Sequence, residues 1–196
     1  MLQDIALFIV RLSGGFWAFR TRMTDPNRPR WLRLFMRRIY YVYLERYGAY
    51  IGHSSQFTSE PCFPHNLIGV FVAGSARIGK NCVIYQQVTI GANSIPHSKG
   101  VGTPVIGDNV YIGVGAKIIG AVKVGDNCRI GANCVVTSDV PPNSLVVLDA
   151  PRVVAREQQM DNRYFRWSPR GPEYFDEGRW ILEKDAAIIE RLRGAF

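Results

Sequence analysis

An aliphatic side chain returns every sixth residue through the middle of this chain: Val72, Ile78, Ile84 and Ile90, then Ile106, Ile112, Ile118, Val124, Ile130 and Val136. Helices repeat near 3.6 residues and strands at 2, so neither element alone accounts for the pattern. The fifth residue of each hexad is also small or apolar, as at Ala76, Cys82, Val88, Val110, Ala116, Val122, Cys128, Cys134 and Val140. The residue between varies freely: Arg77, Thr89, Tyr111, Lys117, Lys123 and Arg129. This describes a three-residue strand pointing in, out and in, then a corner. Turn formers fill the corners at Lys80-Asn81, Asp108-Asn109, Asp126-Asn127 and Ala132-Asn133, and Asn tolerates left-handed backbone angles. Short strands between regular corners make an all-β solenoid whose coils stack at about 4.8 Å.

These residues resemble the hexapeptide-repeat acyltransferases, and the resemblance implies a left-handed parallel β-helix with three hexads per turn. The match runs from about Ile51 to Arg152, with weaker hexads at Ile51, Phe57 and Phe63 suggesting one more coil, for about four in all. The expected organisation is a basic, aromatic helical segment over 1–50, the β-helix over 51–152 and a C-terminal extension with a helix over 153–196. The fold class expected is therefore an all-β solenoid with flanking N- and C-terminal α-helices.

The stretch "PCFPHNLIGVFVAGSARIGKNCVIYQQVTIG", residues 61–91, resembles the catalytic coil of the serine acetyltransferase-like branch, especially its members that acetylate sugars and polysaccharides. The resemblance makes His65 the general base. An imidazole can take a hydroxyl proton near neutral pH, and direct transfer from acetyl-CoA then needs no covalent enzyme intermediate. Between Ile90 and Ile106 the register breaks in "GANSIPHSKGVGTPV", a loop thrown out from a corner that carries His97 and Thr103 as candidate acceptor contacts. In the serine-specific enzymes an Asp precedes the catalytic His and a similar loop ends in His before Pro. Here those places hold Pro64 and Thr103, which turns the expectation toward a sugar or cell-surface glycan precursor as acceptor, with serine the alternative and a structural repeat scaffold the non-enzyme reading.

For acetyl-CoA, the resemblance implies a groove between neighbouring coils lined by Gly113, Gly115, Ala132, Thr137 and Ser138. Arg152, with Lys117 and Lys123 behind it, would face a CoA phosphate. It also implies a homotrimer with each groove between two subunits. A three-His zinc site is not expected, because His53, His65 and His97 are separated by 12 and 32 residues.

Charge is concentrated at one end. Residues 1–50 hold nine Arg and three acids, +6 of the chain's net +8, together with 11 of its 23 aromatic residues. That pattern suggests peripheral association of residues 1–47 with an anionic membrane surface, or a helical cap on the first coil, rather than nucleic-acid binding. The run "IALFIV" is far shorter than the roughly 20 residues of a bilayer span. Location is expected in the cytoplasm, at the inner face of the membrane, with four reduced Cys. Three of these, Cys82, Cys128 and Cys134, occupy inward positions, which leaves Cys62 as the one thiol to test. Arg30 to Tyr47 reads as a helix with Leu32, Phe35, Ile39 and Val42 on one face. The run "YFDEGRWILEKDAAIIERLRGAF" reads as helical, with Ile181, Ile188 and Leu192 on one side.

Overall fold

The computed structural model describes residues 1–150, 153–155, 157 and 159–193, which separate into two compact units, Met1–Ala150 and Pro151–Phe196. The first unit is a left-handed β-helix whose strands stack in three parallel faces. Tyr50–Ile51, Phe71–Val72, Thr89–Gly91, Lys117–Ile119 and Val135–Val136 make the first face. Gln56–Phe57, Arg77–Ile78, Val105–Ile106 and Lys123–Val124 make the second. Val83–Ile84, Tyr111–Ile112, Arg129–Ile130 and Leu145–Val146 make the third. Bridges at Cys62 and Val140 complete five coils, one more than the sequence suggests, because Ile51 and Val146 pair in register with the strong hexads beside them.

The aliphatic column runs up the axis, and Ile84, Ile90, Ile112, Ile118 and Ile130 are wholly excluded from solvent. Each buried side chain of this size contributes about 1.5–3 kcal/mol of transfer free energy, so the column is the core that three-residue strands could not build singly. Between the second and third faces, Asn81, Asn109, Asn127 and Asn143 all have φ between 53° and 60°. Each side-chain amide donates to the next Asn in the ladder at 3.1–3.2 Å, so the corner residues tie the coils together as well as turning them.

Two corners depart from this regularity. Nine residues separate Cys62 from Phe71, against six from Val83 to Thr89, so the first corner between the third and first faces bulges by three residues. Sixteen residues separate Thr89 from Val105, against six from Phe71 to Arg77, which places the loop between the first and second faces. The bulge carries His65; the loop carries His97 and Thr103.

Three helices close the first coil: α1 (Leu2–Leu12), α2 (Phe16–Thr24) and α3 (Arg30–Glu45). The buried stripe of α3 is Met36, Tyr40 and Leu44, which corrects the expected face of Leu32, Phe35, Ile39 and Val42; Phe35 is 57% exposed. The Tyr40 ring stacks on Phe16 at 5.5 Å while its hydroxyl donates to the Ile51 carbonyl at 3.0 Å. A Tyr thereby joins an apolar interface to an open strand end, which hydropathy alone does not foresee. The segment therefore caps the solenoid. Meanwhile α1 buries Ala6 and Val10 and turns Leu2, Ile5, Phe8 and Leu12 outward. No single helix among the described residues is long and apolar enough to cross a membrane, although α1 and α2 pass that test together across an 85° bend.

The second unit corrects the expected helix. Phe165–Ser168, Gly171–Asp176 and Arg179–Leu182 form an antiparallel three-stranded sheet, and among the described residues of this unit only α4 (Ala186–Leu192) is helical. Glu177 and Gly178 both have positive φ, the two-residue turn that matches strand twist, so the aromatic-rich runs on either side pair as a hairpin. Ile181 consequently lies on a strand and not beside Ile188. Asp185 caps α4 by accepting from the N–H groups of Ala187 and Ile188 at 2.8 and 3.3 Å.

Candidate active site

The bulged corner presents His65 to solvent directly below Gln86 of the next coil. His65 Nδ1 lies 2.8 Å from Gln86 Oε1. An amide oxygen can only accept, so in the neutral ring Nδ1 carries the proton and Nε2 the free lone pair. The ring also meets Tyr85 edge-on at 5.6 Å; Tyr85 packs against Tyr111 at 5.2 Å, and Arg129 lies over the Tyr111 ring at 5.6 Å. Orientation of the imidazole is thus held by one hydrogen bond and one aromatic wall.

Gly113, Gly115 and Ala132 stack on this same corner, in the two coils beyond Gln86. Gly69, Gln87, Gly115 and Asn133 form a column of left-handed residues with φ of 57° to 69°, and Gln87 is the member for which that conformation is least usual. A Cβ on Gly113 would stand 2.8 Å from the Ala132 nitrogen, so the bare backbone there is a requirement of the stack. Lys117 Nζ donates to the Gln87 carbonyl at 3.0 Å and the Gly115 carbonyl at 2.6 Å, bracing the corner from the side. Sequence reasoning missed Gln86, Tyr85 and this role of Lys117. The available signal was "YQQ" at the place where the hexad turns under His65.

Other expected residues fall elsewhere. Thr137 and Ser138 lie at the corner between the first and second faces, in a shallow cavity of about 350 Å³ at the last coil. His97 and the loop share that corner; His97 has φ +64°, and Thr103 Oγ1 donates to the Ser75 carbonyl at 3.1 Å. One chain therefore keeps His65 apart from His97 and Thr103, on opposite margins of the first face. Lys123 points outward from the second face, and Arg152 lies outside the described residues. Cys82, Cys128 and Cys134 are buried as expected, while Cys62 is exposed. Among the described residues no group of three or more His, Cys, Asp or Glu is arranged to hold a metal ion.

The profile of the family "Bacterial transferase hexapeptide (six repeats)" matches residues 103–138, within the stacked coils that carry Gly113, Gly115 and Ala132. The serine acetyltransferase of Mycobacterium tuberculosis is 37% identical over 132 residues, 67% of this chain and 56% of that protein. This chain belongs to the hexapeptide-repeat family, in its serine acetyltransferase-like branch. The serine acetyltransferase of Synechococcus elongatus is 40% identical over 89 residues, 45% of this chain and 36% of the relative. Among solved structures, the Entamoeba histolytica serine acetyltransferase isoform 3 in complex with cysteine is 32% identical, with a TM-score of 0.55 over 63% of this chain and 43% of that one. The soybean serine acetyltransferase apoenzyme gives a TM-score of 0.57 at 27% identity, over 76% and 57% of the two chains. The chain spans about half the length, or less, of the curated relatives it matches. These similarities overturn the expected sugar or glycan acceptor and its place in polysaccharide biosynthesis, since the relatives and structures are serine acetyltransferases. The inference from Pro64 and Thr103 rested on side chains absent from two places, and such an absence does not specify another acceptor; Thr103 Oγ1 itself donates to the Ser75 carbonyl.

Proposed function

We propose that the chain is an acetyl-CoA-dependent O-acetyltransferase acting on the hydroxyl of serine, with His65 as general base. The observation that carries this reading is the 2.8 Å contact of His65 Nδ1 with Gln86 Oε1, which makes Nε2 the basic nitrogen of the neutral ring on the margin that also holds Gly113, Gly115 and Ala132. Nε2 takes the acceptor hydroxyl proton as the oxygen attacks the thioester carbonyl carbon. The tetrahedral intermediate collapses with cleavage of the C–S bond, and Nε2–H returns its proton to the CoA thiolate. The stacked glycines leave room for an extended substrate arm along backbone groups between the coils. The similarity to serine acetyltransferases supports the acceptor class.

A cyclic homotrimer belongs to the same reading. The loop and His65 occupy opposite margins of the first face, so a second copy can set one chain's loop beside another chain's base, and a head-to-tail contact with threefold rotation closes on itself. We also read residues 1–47 as meeting an anionic membrane surface from the cytoplasmic side, through the outward Leu2, Ile5, Phe8 and Leu12 of α1 and the local excess of Arg. Binding to anionic over neutral vesicles, weakened by salt, tests that part.

The decisive assay is CoA release from acetyl-CoA with L-serine. Turnover that His65→Ala reduces by about 10²–10⁴-fold supports the proposal. A folded protein that binds acetyl-CoA and gives no serine-dependent release removes it. Activity restored on mixing His65→Ala subunits with loop-deleted subunits would locate the site between copies.

A further inference from the structure

A cavity of about 220 Å³ opens between the helical cap and the first coil, lined by Met23, Thr24, Arg33, Arg37, His53 and Ser54. It lies at the corner between the first and second faces, on the other margin of the first face from His65. Arg33 and Arg37 stand one helical turn apart on α3 and reach it from the same side. The Nε atoms of both are buried and have no hydrogen-bond partner. No acidic residue lines the cavity among the described residues, and the ion pairs of the cap use Asp4 and Asp25 on Arg46, Arg28 and the N-terminal ammonium. On α2, Arg20 is buried, donating to the Ser55 carbonyl and to Ser55 Oγ at 3.2 Å while lying 4.9 Å from the Phe57 ring centroid. Two guanidinium groups thus face the cavity without a carboxylate, with the Arg20 guanidinium engaged on Ser55 and Phe57.

Two half-buried guanidinium groups with enclosed, unbonded Nε atoms lining one cavity repel each other and lack a counter-charge, an arrangement that an anion in the cavity would relieve. The remaining lining completes a donor set. The Tyr41 hydroxyl accepts from the His53 peptide N–H at 3.3 Å and lies 3.0 Å from Nδ1. In the tautomer in which this hydroxyl donates to Nδ1, Nε2–H is the ring's donor. Burial, then the charges of Arg37 and Arg20, hold the His53 pKa below its ordinary value, which keeps the ring a neutral donor beside the arginines. Thr24 and Ser54 add hydroxyls.

We propose that this cavity is a binding site for a phosphate monoester group, taken by Arg33 and Arg37 with His53, Thr24 and Ser54 as further donors. A tetrahedral dianion matches two guanidinium forks and several neutral donors better than a single carboxylate, which one fork satisfies. The volume admits a phosphoryl group with a small substituent. Such a group could belong to a soluble phosphomonoester or to a lipid head group, and the binding chemistry is the same.

The test uses the full chain without CoA, which carries phosphates of its own. Inorganic phosphate and glycerol phosphate are titrated by calorimetry at constant ionic strength, and phosphatidate vesicles are compared with phosphatidylglycerol vesicles of equal surface charge. Binding in either arm that falls at least tenfold in Arg33→Met/Arg37→Met, and partially in Arg37→Lys, supports the site, and the responding arm identifies the source. The double variant should melt no lower than the parent in phosphate-free buffer, because two like charges have been removed from one cavity. Absence of binding in both arms, or binding unchanged in the double variant, overturns the proposal. Serine-dependent CoA release should be unaltered by the substitutions, so the outcome is independent of the proposed activity.

Discussion

His65 and Gln86 are separated by 21 positions in sequence, and their side chains meet at 2.8 Å because that offset is one bulged coil. The bond holds the imidazole with Nε2 free. Gln86→Ala should therefore lower kcat by about 10- to 100-fold while KM for acetyl-CoA changes little, a smaller loss than that of His65→Ala. Steady-state CoA release across pH separates the two: the Gln86 variant keeps a base limb in its profile, whereas His65→Ala loses it. A Gln86→Ala enzyme with parental kcat would show that the bond is incidental.

Cys62 is exposed whereas Cys82, Cys128 and Cys134 are buried in the coil stack, and burial pushes the Cys82 thiol above its ordinary pKa. One thiol per native chain should react rapidly with a maleimide, and none in Cys62→Ala. Because the proposed transfer is direct, Cys62→Ala should retain most activity, and no acetyl group should remain on the enzyme after incubation with acetyl-CoA alone. Mass spectrometry of the intact chain reads both results.

Tyr40 is wholly buried and its hydroxyl bonds the Ile51 carbonyl of the first coil. Tyr40→Phe should cost about 1 kcal/mol by urea unfolding, and Tyr40→Ala about 3–5 kcal/mol, since the second also removes the ring from its stack on Phe16. Deleting residues 1–47 exposes the whole first coil and should lower Tm more than either.

Gly113→Ala places a methyl 2.8 Å from the Ala132 nitrogen and 3.0 Å from the Gly131 carbonyl carbon, both backbone atoms of the next coil. About 1–3 kcal/mol of stability should be lost as the coils shift. Affinity for acetyl-CoA, measured by calorimetry on the folded variant, should fall as well, because the displaced backbone lies on the proposed groove.

Glu173 is 1% exposed and paired with Arg166 at 2.8 Å and with Arg170; hydrogen bonds from the two guanidinium groups hold its carboxyl below the ordinary range. A depressed folded pKa means that this contribution to the second unit is complete above the unfolded carboxylate value and disappears as pH falls through the lower, folded value. The Trp180 indole, stacked 3.9 Å from the Arg166 guanidinium, should report the loss as an NMR shift below pH 4 and none between pH 6 and 8. Glu173→Gln should abolish that transition.

The hexad column by itself determines the solenoid, because a six-residue period is satisfied by inward side chains of stacked coils and by neither regular element alone. Corner chemistry was equally local: Asn81, Asn109, Asn127 and Asn133 adopt the left-handed angles that their residue type tolerates. His65 as the proposed base follows from its motif, and the glycines of the proposed groove from their small size. Local pattern misled where two periods fit one run. Ile181, Ile188 and Leu192 suit a helix, yet the Glu177-Gly178 turn lets Tyr174 pair with Ile181 across a hairpin. Which face of α3 is buried, and that Gln86 rather than a neighbour in sequence orients His65, were decided by tertiary structure alone. So was the convergence of Arg33, Arg37 and His53. Contacts of this kind join residues whose separation depends on coil length and on how a helix seats against a strand end, and both are set by packing of the whole stack.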